Sequence, residues 1–326
     1  MELIMNASKT AVICDSGCDV GRKAAEHFGI TILQLMVNYK SRSIGDLDLL
    51  DEDPVYVYRH FEEEIPKTSA LNIAEVKDTA EKLLSEGYEN IITVSISSAM
   101  SSTFNTMSIA MRDIEEEHPG VKTFAFDTRN ISIGAGAFAV YAGWALGRGI
   151  SFDDVTELLK QKILDSDLEF YMDSLKYLRI GGRITPAVEM VSNILGIKPI
   201  IKCTEEGVYT TAAKIRGSKK GVEKLVDLIL DPAKGIDPKH DWFMLMNGDA
   251  VDFAKRARER ILERYADARI MLDHQIAPTM AINTGPGLLG ICRFSLKFPE
   301  KGQFSEGLKT AYSRFLAEEE LETFTE

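Results

Sequence analysis

Apolar residues along the chain switch repeatedly between strand and helix spacing, and the switches predict alternating elements. Residues 10–14 form a short apolar run that stops at Asp15 and Ser16. A helical segment follows, with Gly29 as its C-cap. Residues 31–37 give a second strand and lead into a polar stretch, 38–53, with no clear period, read as a flexible flap or an extended hairpin. Ile73, Val76, Ala80, Leu83 and Leu84 mark one helix face, preceded by Asn72 and Glu75 in a capping arrangement and closed by Gly87. Ile91, Ile92, Val94 and Ile96 suit a buried strand, and Met100, Phe104, Met107, Met111 and Ile114 continue it as a helix packed on a sheet. Another strand at 121–126 ends in Asp127 and Thr128. It precedes a helix over 132–147 whose Gly134, Ala135, Gly136 and Ala139 allow a neighbour to approach closely.

A linker-like segment at 148–151 leads into a helix at 152–164, and the second half opens with a strand at 168–172 and a short helix at 174–179. Gly181, Gly182 and Arg183 follow. A further helix begins at Thr185 and Pro186, a cap and first-turn pair, and ends at Gly196. Strands are expected at 198–202, 208–216, 242–246, 269–272 and 280–282, with helices at 221–230 and 252–265. The turn Glu205, Glu206, Gly207 places two of those strands at hairpin distance. The pattern is that of an α/β protein with two α/β domains. Residues 1–165 would form a mostly parallel sheet flanked by helices, and residues 166–326 a mixed sheet with helices.

Composition narrows the partners. The 326 residues suffice for about two domains, and the 45% apolar content is ample for packed cores. A net charge of −12 opposes binding to a nucleic-acid backbone or an anionic membrane surface. Acidic runs at 62–64, 115–117 and 318–320 read as solvated faces. The four cysteines have neither redox nor zinc spacing, and no apolar run approaches the ~18 residues of a membrane span. With no signal-like leader, the expectation is a reduced, soluble, cytoplasmic protein without a resident metal or cofactor.

The chemistry concentrates between strand and helix near residue 97. Ser97, Ser98, Ser101, Ser102 and Thr103 sit at the carboxyl end of a strand and the amino end of a helix, where free N–H groups attract anions. One hydroxyl suffices for a cap and five are present, so the cluster is read as an anion cradle. It contains no glycine or lysine, and therefore suits a carboxylate better than a polyphosphate. A lipid or ester serine hydrolase is the enzyme alternative. The chain has no Gly-x-Ser-x-Gly elbow, however, and none of its five histidines stands in a recognisable triad context. A nucleotide-binding transferase, suggested by Asp15 and Asp127, lacks a Walker-type loop.

Several segments taken in order resemble the DegV family of bacterial fatty-acid-binding proteins. They are Asp15 and Ser16, Thr68 and Ser69, the run from Ser97 to Thr103, the run from Leu175 to Ile184, the run from Asn193 to Pro199, and Gly285, Pro286, Gly287. The resemblance covers nearly the whole chain. It implies a protein that buries one long-chain fatty acid in an apolar tunnel and holds its carboxylate at the domain interface. Such a protein is a carrier with no catalytic residues of its own. It presents the acyl chain to a separate, ATP-using fatty-acid kinase that makes an acyl phosphate for phospholipid synthesis. By motif position, Thr68 would bind the carboxylate, with Ser98 and also Ser97 or Ser101 beside it. Arg183 would lie near the mouth.

The chain departs from the family pattern at three places. Ser102 stands where a glycine is common, Gly17 where a threonine is common, and Asn283 where many members have histidine two residues before the Gly-Pro-Gly turn. An amide at 283 can hydrogen-bond but cannot carry a charge. Burying about a dozen methylenes at ~0.8 kcal/mol each contributes on the order of 10 kcal/mol before binding costs, so the tail dominates affinity and the head group sets orientation. Phe104, Met107, Ile194 and Met280 are candidates for the tunnel wall, each competing with ordinary core packing.

Overall fold

The computed structural model describes residues 6–192, 197–216, 220–317 and 323–325. Four parallel strands form the first sheet, in the order β2 (Ile30–Leu33), β1 (Thr10–Asp15), β6 (Asn90–Ser95) and β7 (Lys122–Asp127). From β1 the chain steps outward to β2, then returns to place β6 and β7 on the other side. The order therefore reverses between β1 and β6, and the carboxyl ends of these two strands leave a crevice. A small antiparallel sheet of β4 (Ser43–Gly45), β3 (Met36–Asn38) and β5 (Lys67–Ser69) stands beside that crevice.

Six strands make the second sheet, in the order β10 (Tyr209–Arg216), β9 (Ile197–Cys203), β8 (Ser166–Tyr171), β13 (Leu288–Ser295), β11 (Asp241–Gly248) and β12 (Arg269–Gln275). All its pairings are antiparallel except that of β11 with β12, so the sheet is mixed.

The helix Ser132–Gly147 joins the two sheets. Every residue from Ser132 to Leu146 is buried, because one side packs on β1 and β6 and the other on β8, β11 and β13. Helices Ile73–Ser85 and Thr103–Glu117 cover the outer face of the first sheet, and Gly221–Ile229 with Val251–Arg264 cover that of the second. The result is five layers, with one apolar helix as the central one. Its small residues have the geometric role their composition suggested: a Cβ on Gly136 would lie 2.2 Å from the Cys18 carbonyl oxygen, and one on Gly143 2.4 Å from that of Phe28. Phe138, Tyr141 and Trp144 project from it into an aromatic cluster with Phe126, Trp242, Phe294 and Tyr312.

Caps and turns fall where the sequence places them. Gly29 closes the helix Arg22–Phe28 at φ 65°. Asn72 accepts from the Glu75 N–H at 2.9 Å, and its own amide reaches back to the Glu75 carboxylate. Elsewhere the structure corrects the expectations. The apolar stretch 31–37 is divided between β2 and β3, in different sheets; the hairpin expected in the polar stretch after it is present, β3 pairing antiparallel with β4, but the stretch ends in the helix Asp46–Glu52. The strand expected at 280–282 is part of the helix Pro278–Thr284, which Pro278 opens and Gly285 closes. The true neighbouring strand is β13, after the Gly-Pro-Gly turn. At Gly285 only glycine fits, with φ 71° and the Tyr177 ring 2.1 Å from where a Cβ would stand. A helix at Leu308–Ala317 was not foreseen, and the expected stop at Gly196 and the acidic run 318–320 lie outside the described residues.

The segment 323–325 returns to the second sheet. Phe324 bridges to Leu272 alongside β12, donating to the Met271 carbonyl at 2.8 Å and accepting from the Asp273 N–H at 3.0 Å, and its ring meets His27 and Phe28. The central helix gives a test of the layered packing. Gly136→Ala should lower stability by ~1–3 kcal/mol through overpacking, whereas Gly147→Ala, with open space around its Cβ, should be neutral or slightly stabilising. Urea unfolding of the two variants against the parent checks this.

Candidate functional site

A cavity of about 300 Å³ lies at the reversal point of the first sheet, between that sheet, the small β3–β4–β5 sheet and the inner face of the second sheet. This is the lower end of the size range of small-molecule sites. Ile96, Met100, Leu168, Phe170, Met246 and Leu288 give it apolar walls. Gly290 of β13 contributes bare backbone to the lining, where a Cβ would come into ordinary contact with Phe170 at 3.7 Å and Leu168 at 3.8 Å. Hydroxyls of Thr68, Ser69, Ser101, Ser102, Ser132, Thr279 and Thr284 and the amide of Asn283 supply the polar rim. Among the described residues that line it, Arg183 alone is charged.

The structure divides the six expected ligand residues into two groups. Thr68, Ser101, Arg183 and Asn283 line the cavity; Ser97 and Ser98 do not. Thr68 is held on β5 opposite Val37 and makes no side-chain hydrogen bond among the described residues. Ser101 shares a 2.9 Å hydrogen bond with Thr103 and accepts from its N–H, which leaves Ser102, the residue before the helix, facing the cavity. Ser97 is fully buried and donates to the Gly207 carbonyl at 2.8 Å, fastening the β9–β10 turn to the first sheet. Ser98 donates to Asp127, whose carboxylate also accepts the Ser98 N–H at 3.1 Å. The five-hydroxyl cradle is therefore smaller than its sequence: two of its members lock the loop, and Thr103 is buried.

Arg183 is exposed, and its guanidinium donates to the Gly181 carbonyl. Asn283 is half-buried on the helix Pro278–Thr284. Its amide donates to the Thr279 carbonyl at 2.9 Å, and its oxygen sits where a Cβ on Gly181 would be, 2.1 Å away. Of the apolar candidates, Met280 lines the cavity. Met107 belongs to the core on the opposite face of the first sheet, Phe104 is not among the lining residues, and Ile194 lies outside the described residues. No histidine lines the cavity among the described residues, so its serines have no imidazole base beside them.

Behind the polar rim lie three buried carboxyls. Asp15 ends β1 and accepts from the Ile96 N–H at 3.0 Å. Asp46 accepts from Ser16 at 2.9 Å and from Thr279 at 2.6 Å. Asp19 accepts from the Ala277 N–H at 2.7 Å through one oxygen and from the Ser132 hydroxyl through the other. No ion pair among the described residues reaches any of the three. Burial without a cation disfavours the charged form, pushing Asp15 up to about 7, Asp19 to about 8 and Asp46 to about 6. Asp19 and Ser132, which meet here, both have left-handed backbone, at φ 50° and 48°, a conformation costly for residues with a Cβ.

Comparison with known proteins decides the kinship. A family profile described as "uncharacterised protein, DegV family" matches residues 9–296. The chain belongs to the DegV family. A DegV domain-containing protein of Clostridium acetobutylicum is 33% identical over 286 residues, spanning 88% of this chain and 99% of its own length. Among solved structures, a DegV family protein from Thermus thermophilus described by its fatty acid binding superimposes with a TM-score of 0.76 at 22% identity, covering 88% of this chain and 99% of that one. A DegV family protein from Ruminococcus gnavus, solved with vaccenic acid, also gives 0.76 at 21% identity, with 87% and 99% covered. At these identities the likeness to the solved structures is one of fold, and it establishes two α/β domains, the first with a parallel and the second with a mixed sheet.

In this DegV chain, Asn283 occupies the rim position where the resemblance anticipates histidine, and His274 does not replace it. His274 is buried in β12, its ring against the Gln275 carbonyl, and is not among the residues that line the cavity. Sequence reasoning missed Asp19, Asp46, Ser132 and Thr279. The signal for the two acids was only their place, Asp19 four residues beyond the end of β1 and Asp46 directly after β4, which a chain with 50 acidic residues offers many times over, and the two hydroxyl residues gave none.

The three acids make stability pH-dependent. Each carboxyl is raised in the fold above its ordinary 3.8, so the folded chain holds protons that the unfolded chain releases. The stability they contribute is fully present below about pH 4 and is lost as pH rises through about 6 to 8. Thermal melts should therefore show a lower Tm at pH 8.5 than at pH 5.5. Asp15→Asn should narrow the gap, raising Tm at pH 8.5 by roughly 2–4 °C for each kcal/mol recovered.

Proposed function

We propose that this DegV protein binds one long-chain fatty acid, its tail in a tunnel begun by the apolar walls and its carboxylate at the polar rim. In this reading the chain presents the carboxylate to a separate fatty-acid kinase for acyl-phosphate formation, and is not itself the catalyst. One observation carries it: a cavity with apolar walls whose rim gathers hydroxyls around Arg183, the one charged side chain among the described residues that line it. That is the complement of a long hydrocarbon with one negative end. The fatty acids bound by DegV relatives of the same fold support the same ligand class.

Thr68, Ser101, Arg183 and Asn283 are the proposed head-group contacts, and Ser97 and Ser98 serve them by fixing the loop that carries Ser101. In the same reading the domains divide at 1–165 and 166–326, with the cavity between them, and the protein works in the cytoplasm with its kinase. No helix among the described residues is long and apolar enough to cross a membrane.

Denaturing extraction of the purified protein followed by mass spectrometry should release about one fatty acid per chain. No lipid, together with no rise in Tm on adding palmitate or oleate, would sink the reading. Thr68→Val combined with Arg183→Gln should weaken palmitate binding roughly tenfold or more, as expected for losing charge-assisted hydrogen bonds, while leaving the melt unchanged. Gly290→Leu should take up part of the cavity and shift preference to shorter acyl chains; an unaltered chain-length profile in a competition assay would place the tail elsewhere.

A further inference from the structure

Ser132 and Thr279 both line the cavity, and when the carboxyls behind them are ionised both give their single hydroxyl proton backward, Ser132 to Asp19 and Thr279 to Asp46. A hydroxyl that donates backward offers only lone pairs forward. An ionised ligand carboxylate offers only lone pairs too, so it gains nothing from these two hydroxyls as arranged. One added proton reverses the arrangement. When Asp19 is protonated, its O–H donates to the Ser132 oxygen, and the Ser132 hydroxyl is released to donate into the cavity.

Between the two pairs, the geometry selects Asp19 as the holder of that proton. Asp46 accepts hydroxyls from both Ser16 and Thr279 on one oxygen, and these stabilise its charge. Asp19 has one backbone N–H and one hydroxyl, the latter being the group that faces the cavity. The carboxyls that face Asp19, Asp46 and Asp15, oppose its ionisation, and the thiol and phenol beside it stay neutral and bring no positive charge. Asp15 and Cys18 come from the same segment, Asp46 from the helix Asp46–Glu52 and Tyr58 from the helix Tyr56–His60, with Asp249 beyond it. The central helix and the segment at Ala277 bring only Ser132 and an N–H. Among the described residues, Arg183 on the rim is the one cation lining the cavity, and its guanidinium bonds the Gly181 carbonyl rather than Asp19.

We propose that the cavity takes a carboxylate head group together with one proton from solvent, held on Asp19, which is thereby the positioning residue that turns the Ser132 hydroxyl toward the ligand. The inference rests on the fatty-acid reading. It deepens that reading by assigning a proton-linked acceptor to the rim. The burial that raises Asp19 to about 8 sets where the linkage appears.

The test measures binding of palmitate and of hexadecanol, which shares the tail and lacks the carboxylate, between pH 6 and 10. For the parent protein, palmitate Kd should stay level up to about pH 8 and then weaken ~tenfold per pH unit, while hexadecanol stays level throughout. Asp19→Asn should abolish the break, since its amide oxygen can accept from Ala277 while its N–H donates permanently to Ser132. Calorimetry of palmitate binding at pH 9 in two buffers of different ionisation enthalpy should report close to one proton taken up per ligand, on the parent protein alone, so the inference does not depend on the variant folding. A level palmitate Kd across the range, a decline already tenfold per unit at pH 6 as for entry of the neutral acid, an Asp19→Asn profile parallel to the parent, or no proton uptake at pH 9 would each overturn it. If palmitate and hexadecanol both fail to bind at pH 7, the fatty-acid reading falls and takes the inference with it; hexadecanol and palmitate binding without the break removes the inference alone.

Discussion

A helix that is apolar on every side cannot lie on a protein surface, and the helix Ser132–Gly147 imposes that condition on the whole chain. The second sheet covers most of the side that the first leaves bare, so the two α/β units meet across it. Their outer faces then need only one layer of amphipathic helices each. The close approach that Gly136 and Gly143 permit brings the segment after β1 against the helix, and with it Cys18 and Asp19. The helix begins at the crevice where the first sheet reverses its order. Its first residue, Ser132, therefore stands at the rim of the cavity, and the constraint that builds the fold also locates the site.

Much of this architecture is written in local pattern. The strand and helix periods of the first half survive into the structure nearly intact, because its parallel strands are short apolar runs ended by polar residues and its outer helices have one clean apolar face. The 280–282 segment misled because three apolar residues have no period of their own; what makes them helical is Pro278 at the start and the stop at Gly285, which packs on Tyr177. Strand β13 escaped notice since Gly290 and Arg293 interrupt its apolar run, yet Gly290 lines the cavity and Arg293 donates to the Lys234 carbonyl and reaches the buried Asp241 carboxylate.

The site was legible as a kind of chemistry and illegible as a set of contacts. Hydroxyls at a strand-to-helix junction are visible in any sequence that has them. Which of them face a ligand depends on what else competes for their protons. Ser97 and Ser98 found partners in Gly207 and Asp127, tens of residues away, and no local rule could have assigned those. The buried aspartates lie further still from pattern. Desolvated acids without a cation weaken the fold above neutral pH, and their persistence beneath a polar rim marks the place where packing alone does not account for the residues chosen.

Strand β12 forms one edge of the six-stranded sheet, and an uncovered edge strand offers a row of free N–H and C=O groups to any other extended chain. Phe324 occupies part of that row, taking the hydrogen bonds of Met271 and Asp273, while its ring is clasped by His27 and Phe28 of the first unit. The tie acts as a selvedge. It finishes the sheet with this chain's own backbone, so that the protein resists edge-to-edge aggregation by a contact that also depends on the two units staying together.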